Sequence, residues 1–321
     1  MSSTIPQEPH RKAIIGSPSN FWLHSSQDGF DLTHPTDPNT PVSGPKITLQ
    51  TTTSPITISP SKSALVIIDM QNFFLSPALG RIPGAGHSAC EHLIQHAIPA
   101  ARKAGIRIIW LNWGLADEDV VKMPPAVRRA FGFFAIPAEA DFESDEGHPE
   151  SISVNKHGVP STQKTAYKGI GSDIGTLTHN NESITAGRLL MRDTWNAALY
   201  PPLLPLYQNG LQIPHNPDVL IHKDRMSGLW GAKTACEEFL KKEGIKTLLF
   251  AGVNTDQCVG GTLTDAFSKG YDCVLLGDGC GTTSPGFAQE AWEWNVGIGG
   301  TFGFVVGCEG FARGVGNMLS E

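Results

Sequence analysis

A chain of 321 residues that is 40% hydrophobic and 17% charged has the make-up of a folded globular protein, which excludes a fibrous, disordered or disulfide-stapled one. Its formal charge of −7, with adjacent basic side chains only in isolated pairs such as Arg128-Arg129 and Lys241-Lys242, excludes an extended nucleic-acid surface. No apolar run reaches the ~18 residues of a membrane span and no apolar signal core opens the chain, so a cytoplasmic protein without a membrane partner is expected.

Residues 1–60, rich in Ser, Thr, Pro and His, sustain no apolar period and read as an N-terminal arm. Ile14-Ile15, Phe21-Trp22-Leu23 and Ile47-Thr48-Leu49 nevertheless carry β-forming content that would let the arm wrap the body or a neighbouring subunit. From 61 to 321 the texture is that of one domain. Continuous apolar runs at 64–69, 106–111, 218–221, 247–252, 273–276 and 302–306 predict six strands covered on both faces. Helical spacing at 90–104, 232–243 and 259–269, each closed by a glycine (Gly105, Gly244, Gly270), alternates with them. This alternation predicts a doubly wound α/β fold with a mostly parallel sheet. The segment of about 114–217 breaks the rhythm, with helical spacing near 124–133 and 196–207 and no obvious pair of strands, and reads as an inserted lid or subunit contact.

In such sheets ligands bind beyond the carboxyl ends of the strands, which directs attention to the polar residues there. Asp69 ends the first run, Lys223 follows the third, and Cys258 follows the fourth. A thiol at a helix start beside an ammonium, with a carboxylate in reach of its proton, can serve as a nucleophile. Each residue alone has a plainer role: a strand-end carboxylate caps a turn, a lysine meets solvent, and a lone cysteine is a small buried hydrophobe. The six cysteines form no CxxC pair and read as free thiols. Cys280, in Gly277-Asp278-Gly279-Cys280-Gly281, also follows a strand and is the rival nucleophile, with a structural thiol as its default. His92 and His96 stand four apart, but no glutamate motif and no third ligand accompany them, so a solvated helix face is expected.

Three blocks together resemble the isochorismatase-like cysteine hydrolases, a family that includes nicotinamide, N-carbamoylsarcosine and ureidoacrylate hydrolases. They are Asp69-Met70-Gln71-Asn72-Phe73-Phe74 after the first strand, His222-Lys223-Asp224-Arg225-Met226-Ser227-Gly228, and Gly252-Val253-Asn254-Thr255-Asp256-Gln257-Cys258-Val259 followed by Thr262 and Asp265. The resemblance covers roughly 60–310. It implies a three-layer α/β/α fold around a six-stranded sheet, Asp69 as proton acceptor, Lys223 as its electrostatic partner and Cys258 as nucleophile. It further implies an oxyanion hole from the backbone N–H groups of Asn254 and Cys258, a cis Val253-Asn254 peptide, and a homo-oligomer, dimer or tetramer.

Nicotinamidases of this family carry a metal-binding histidine cluster after the second strand, where this chain reads Asn112-Trp113-Gly114-Leu115-Ala116-Asp117. The resemblance therefore points to a hydrolase that needs neither metal nor other cofactor and cleaves a C–N bond of a small amide or ureido substrate through a thioester. Gln71, Asn72, Phe74, Asn112, Trp113, Trp195, Asn196 and Trp230 are the candidates for substrate contacts, against a core role for the aromatic ones. Two other readings stand beside this one: hydrolysis of an isochorismate-type vinyl ether, which needs no thiol, and a non-catalytic oligomeric binding protein, which intact Asp69, Lys223 and Cys258 disfavour.

Overall fold

A computed structural model describes residues 9–40, 42–142, 148–160 and 169–320. The N-terminal segment is folded: β1 (Lys12–Ser17), β2 (Asn20–Ser25), β3 (Gly29–Leu32), β4 (Ile47–Gln50) and β5 (Pro55–Ile58) form a sheet of order β1-β2-β3-β5-β4. Alternation puts Leu32, Ile47, Leu49, Ile56 and Ile58 on one fully buried face, and Asp31, Thr48 and Thr57 on the other. Its strands have only four to six residues, too few for a sustained apolar period to register without the body they lie against.

The body is built on β6 (Ser63–Ile68), β7 (Arg107–Trp113), β12 (Val219–Lys223), β13 (Thr247–Val253), β14 (Asp272–Gly281) and β15 (Phe304–Val306). Between β7 and β12 the insertion contributes β8 (Phe133–Ala135), β9 (Ile152–Val154), β10 (Thr176–His179) and β11 (Glu182–Thr185) as two antiparallel pairs, which the sequence did not announce. Its helices run over Asp117–Val121, Pro125–Ala130 and Leu204–Leu211, and Leu177, Ala186, Leu189 and Leu190 pack it into the core.

The central sheet has the order β12-β7-β6-β13-β14-β15 and every pairing in it is parallel. Each strand feeds two cores: Ala64, Val66 and Ile68 of β6 face one, Leu65 and Ile67 the other. The first core is closed by helices Ala235–Lys242 and Gly260–Ser268, the second by the helical stretch 85–104 and helix Cys308–Met318. The resulting three layers match the fold expected from the sequence. Within 85–104 the turn Leu93–Ala97 widens to π-helical just before Pro99, which cannot donate a backbone hydrogen bond.

The chain winds outward from β6 through β7 to β12, then returns to β13 and winds the other way. The winding reverses between β6 and β13, which makes their carboxyl ends the natural crevice. The two strands approach closely there. At Gly252 a Cβ would stand 2.1 Å from the Ile68 carbonyl oxygen, and φ is +114°, so only glycine fits.

Candidate active site

At the end of β6 the backbone turns sharply: Asp69 adopts φ +52°, a left-handed conformation that aspartate tolerates better than most residues. The turn aims its carboxyl under the end of β7, where Oδ1 accepts the Trp113 backbone N–H at 2.9 Å. From β12 the Lys223 side chain, 2% exposed, brings Nζ within 2.9 Å of Asp69 Oδ2, and the same ammonium donates to the Arg225 carbonyl at 3.0 Å. It also lies 4.1 Å from the centroid of the Trp113 ring, a cation–π contact in a dry site.

Beyond β13 the Val253-Asn254 peptide is cis, as the resemblance implied, and Thr255–Val259 form a π-helical turn leading into helix Gly260–Ser268. Cys258 sits in that turn, 7% exposed, its thiol close enough to the Asp69 carboxyl and the Lys223 ammonium for both to act on its charge, without an aligned hydrogen bond. The Trp113 indole N–H lies close enough to the sulfur to favour its charged form, without an aligned hydrogen bond. Asp69, Lys223 and Cys258, from three separate stretches of sequence, therefore meet at the switch point.

Burial governs the electrostatics. It pushes the Cys258 thiol up to about 12, the Lys223 ammonium opposing it and the Asp69 carboxylate adding to it. It also raises the Asp69 carboxyl above its usual 3.8, again opposed by Lys223. Burial thus raises the proton affinity of both the thiol and the carboxyl, and the Lys223 ammonium opposes it at both.

The other candidates divide. Trp113, Gln71 and Asn72 surround the site: Gln71 Nε2 donates to the carbonyls of Trp113 (2.7 Å) and Ala197 (2.6 Å), and Asn72 Nδ2 to that of Trp195 (2.8 Å). Among the described residues the buried Gln71 Oε1, Asn72 Oδ1, Asn112 Oδ1 and Trp113 Nε1 have no hydrogen-bond partner. Phe74 is half-buried and meets Phe73 edge-on at 4.9 Å. Asn112, by strand alternation, faces away from Trp113. Trp195 is half-buried and stands 5.6 Å from His179. Asn196 spends its side chain inside the insertion, on Leu190 N, the carbonyls of Ala186 and Arg188, and Thr194. Trp230 is 52% exposed and bonded to Asp224, with Arg225 over its ring. Cys280 is buried, donates to the Phe250 carbonyl at 3.6 Å, and has its thiol pushed up by burial.

Two contributors were not among the expected site residues. Phe131 of the insertion meets the Trp113 ring edge-on at 5.3 Å, yet it lies in a stretch whose spacing says only helix. Thr262 donates to the Cys258 carbonyl (2.7 Å) and accepts from Gly228 N (3.2 Å), tying the stretch that carries Cys258 to the one that carries Lys223. Its place four residues after the cysteine was the available clue. Among the described residues no group of three or more His, Cys, Asp or Glu side chains is placed to hold a metal ion.

The strand ends of the parallel sheet thus bring carboxyl, ammonium and thiol together in one buried site of an α/β protein. The Isochorismatase domain matches residues 63–300, and the chain belongs to the isochorismatase family of hydrolases. It is similar to the ureidoacrylate amidohydrolases RutB of Rhizobium rhizogenes (28% identical, 78% of this chain and 82% of the relative) and Klebsiella variicola (29%, 83% and 92%). Its fold is similar to that of a cysteine hydrolase from Pseudomonas syringae (TM-score 0.52, 16% identical, 86% of this chain and all of the other). An isochorismatase family protein from Desulfovibrio vulgaris is alike to a similar degree (TM-score 0.50, 19%, 81% and 99%).

Proposed function

We propose that the protein is an amidohydrolase that cleaves the C–N bond of a small amide or ureido compound through a thioester on Cys258. The observation that carries this reading is the buried convergence of Cys258 on an Asp69 carboxyl already held 2.9 Å from the Lys223 ammonium. The two curated relatives, both named for hydrolysis of ureidoacrylate, support the ureido class.

In the reaction so read, the Cys258 thiol proton passes to Asp69 as the sulfur attacks the carbonyl carbon. Both groups have raised proton affinities, so the transfer accompanies attack instead of preceding it. The developing oxyanion rests on the backbone N–H groups of Asn254 and Cys258, where loss of one donor typically costs about 2.7–4 kcal/mol of barrier. Collapse breaks the C–N bond, and the proton on Asp69 leaves with the nitrogen. Water then attacks the thioester, gives a proton to Asp69 and releases the acid, and that proton returns to the sulfur. Lys223 keeps its charge throughout and steadies the ionised Asp69. Neither proton carrier nor charge requires a metal in this scheme.

A coupled ammonia assay across small amides and ureido acids tests the class. Cys258→Ser is expected to abolish turnover with the fold retained, Cys280→Ser to leave it, and acid quench to trap an acyl adduct on Cys258 detectable by mass spectrometry. Turnover by the Cys258→Ser enzyme, or the adduct on another residue, would overturn the reading.

A further inference from the structure

The turn that carries Cys258 makes hydrogen bonds through three consecutive side chains, and all three reach one segment. Asn254 Oδ1 accepts the Thr283 backbone N–H at 3.2 Å. The Thr255 hydroxyl donates to Gln289 Oε1, and Gln289 Nε2 donates in turn to Glu293 Oε1 at 2.7 Å. Asp256 accepts two hydroxyls, from Thr282 at 2.5 Å and from Ser284 at 2.7 Å. Thr282 Oγ1 also accepts the Ser284 backbone N–H at 3.0 Å, which closes the partner loop on itself. The position of the nucleophile turn is thus set from the loop after β14 and helix Gly286–Val296, elements that contribute nothing to the Asp69–Lys223 pair.

Among the described residues Asp256 forms no ion pair, so its carboxylate is spent on these two hydroxyls. A hydrogen bond to a charged acceptor is about twice as strong as a neutral one, and two of them converging on one side chain fix its direction as well as its place. Asp256 stands between Asn254 and Cys258, whose N–H groups must both point at one oxygen atom if they are to stabilise an oxyanion. A shift of ~1 Å in such donors can cost ~100-fold in rate.

We propose that Asp256, clamped by Thr282 and Ser284, is a positioning residue that aims the backbone donors of Asn254 and Cys258. This rests on the reading of Cys258 as nucleophile given above. It does not touch the substrate, and its effect appears only in steps that develop an oxyanion.

The test compares two reactions of Cys258 in the full-length protein. Acylation by p-nitrophenyl acetate develops an oxyanion, whereas alkylation by iodoacetamide does not. Asp256→Ala and Thr282→Val are expected to slow the acylation burst roughly 10- to 100-fold, with alkylation changed less than about threefold. Thr282→Ser, which restores the donor, is expected to restore the burst. Ser284→Ala removes one bond from the loop surface and supplies a mild variant should Asp256→Ala fail to fold; a burst slowed severalfold is expected. Acylation unchanged in Ser284→Ala and Thr282→Val, or acylation and alkylation falling together, would overturn the proposal. A burst that survives in Cys258→Ser would instead overturn the assignment of the nucleophile.

Discussion

Lys223 and Asp69 lie 2% and 0% exposed, which makes each the condition for burying the other. Removing one partner of a buried ion pair typically costs ~3–5 kcal/mol, because the survivor keeps its charge in a medium that cannot solvate it. Lys223→Met should lower stability by that amount at neutral pH and abolish turnover. The sign of its pH dependence follows from Asp69, whose carboxyl burial already raises above 3.8 and which loses its opposing cation in the variant. A group whose folded-state pKa is raised holds its proton more tightly folded than unfolded, so its contribution is full at acid pH and is lost as pH rises through the folded value. The stability deficit of Lys223→Met against the parent should therefore shrink on acidification. Urea midpoints at neutral pH and at the acid edge of the folded range measure this; a deficit that stays constant would sink it. In the parent the same raised pKa predicts that kcat/KM falls on the acid side from a point above 3.8, since in the proposed mechanism only ionised Asp69 takes the Cys258 proton.

At the scale of elements the site depends on how closely β6 and β13 approach. Gly252→Ala places a methyl 2.1 Å from the Ile68 carbonyl at φ +114°, and neither backbone can retreat without breaking the ladder. A loss of ~3 kcal/mol is expected from the strained φ and the clash together. Turnover should fall further than residual folding explains, because Asp69 and Asn254 continue from the two strands being pushed apart. Thermal unfolding with kcat on the folded fraction checks it, and a variant of parental stability would show that the strands can separate freely. The elements of the centre were legible because fully buried parallel strands are continuous apolar runs, and their ends hold the three residues that meet. The side chains packed around those three were not legible. Phe131 reaches Trp113 from a helix end in the insertion, and Trp230, two residues past the stretch His222 to Gly228, turns outward to Asp224 and Arg225. Sequence spacing says which face of an element a side chain takes, not which remote loop will cover that face.

The N-terminal sheet raises the same issue for the whole molecule: its strands become visible only with the surface that completes them. That seam is centred on Asp272, 2% exposed at the start of β14, whose carboxylate accepts the Trp22 indole N–H, His34 Nε2 and the Thr247 hydroxyl, each at 2.7 Å. Lys62 reinforces it by donating to the carbonyls of Thr33 and His34 at 3.1 and 2.6 Å. Asp272→Ala would strand the buried Thr247 hydroxyl and the part-buried Trp22 and His34 donors at once, at up to ~1–3 kcal/mol for each left unsatisfied. Because Asp272 pairs with Thr247 at the amino end of β13, the seam stands a full strand, about 20 Å at ~3.3 Å per residue, from the turn bearing Cys258. The expected result is a protein that melts earlier and is cut first by protease within 9–58, while kcat of the intact fraction stays near the parental value. Loss of kcat together with the sheet would mean that the N-terminal sheet acts on the distant strand ends, through the helices it shares with them.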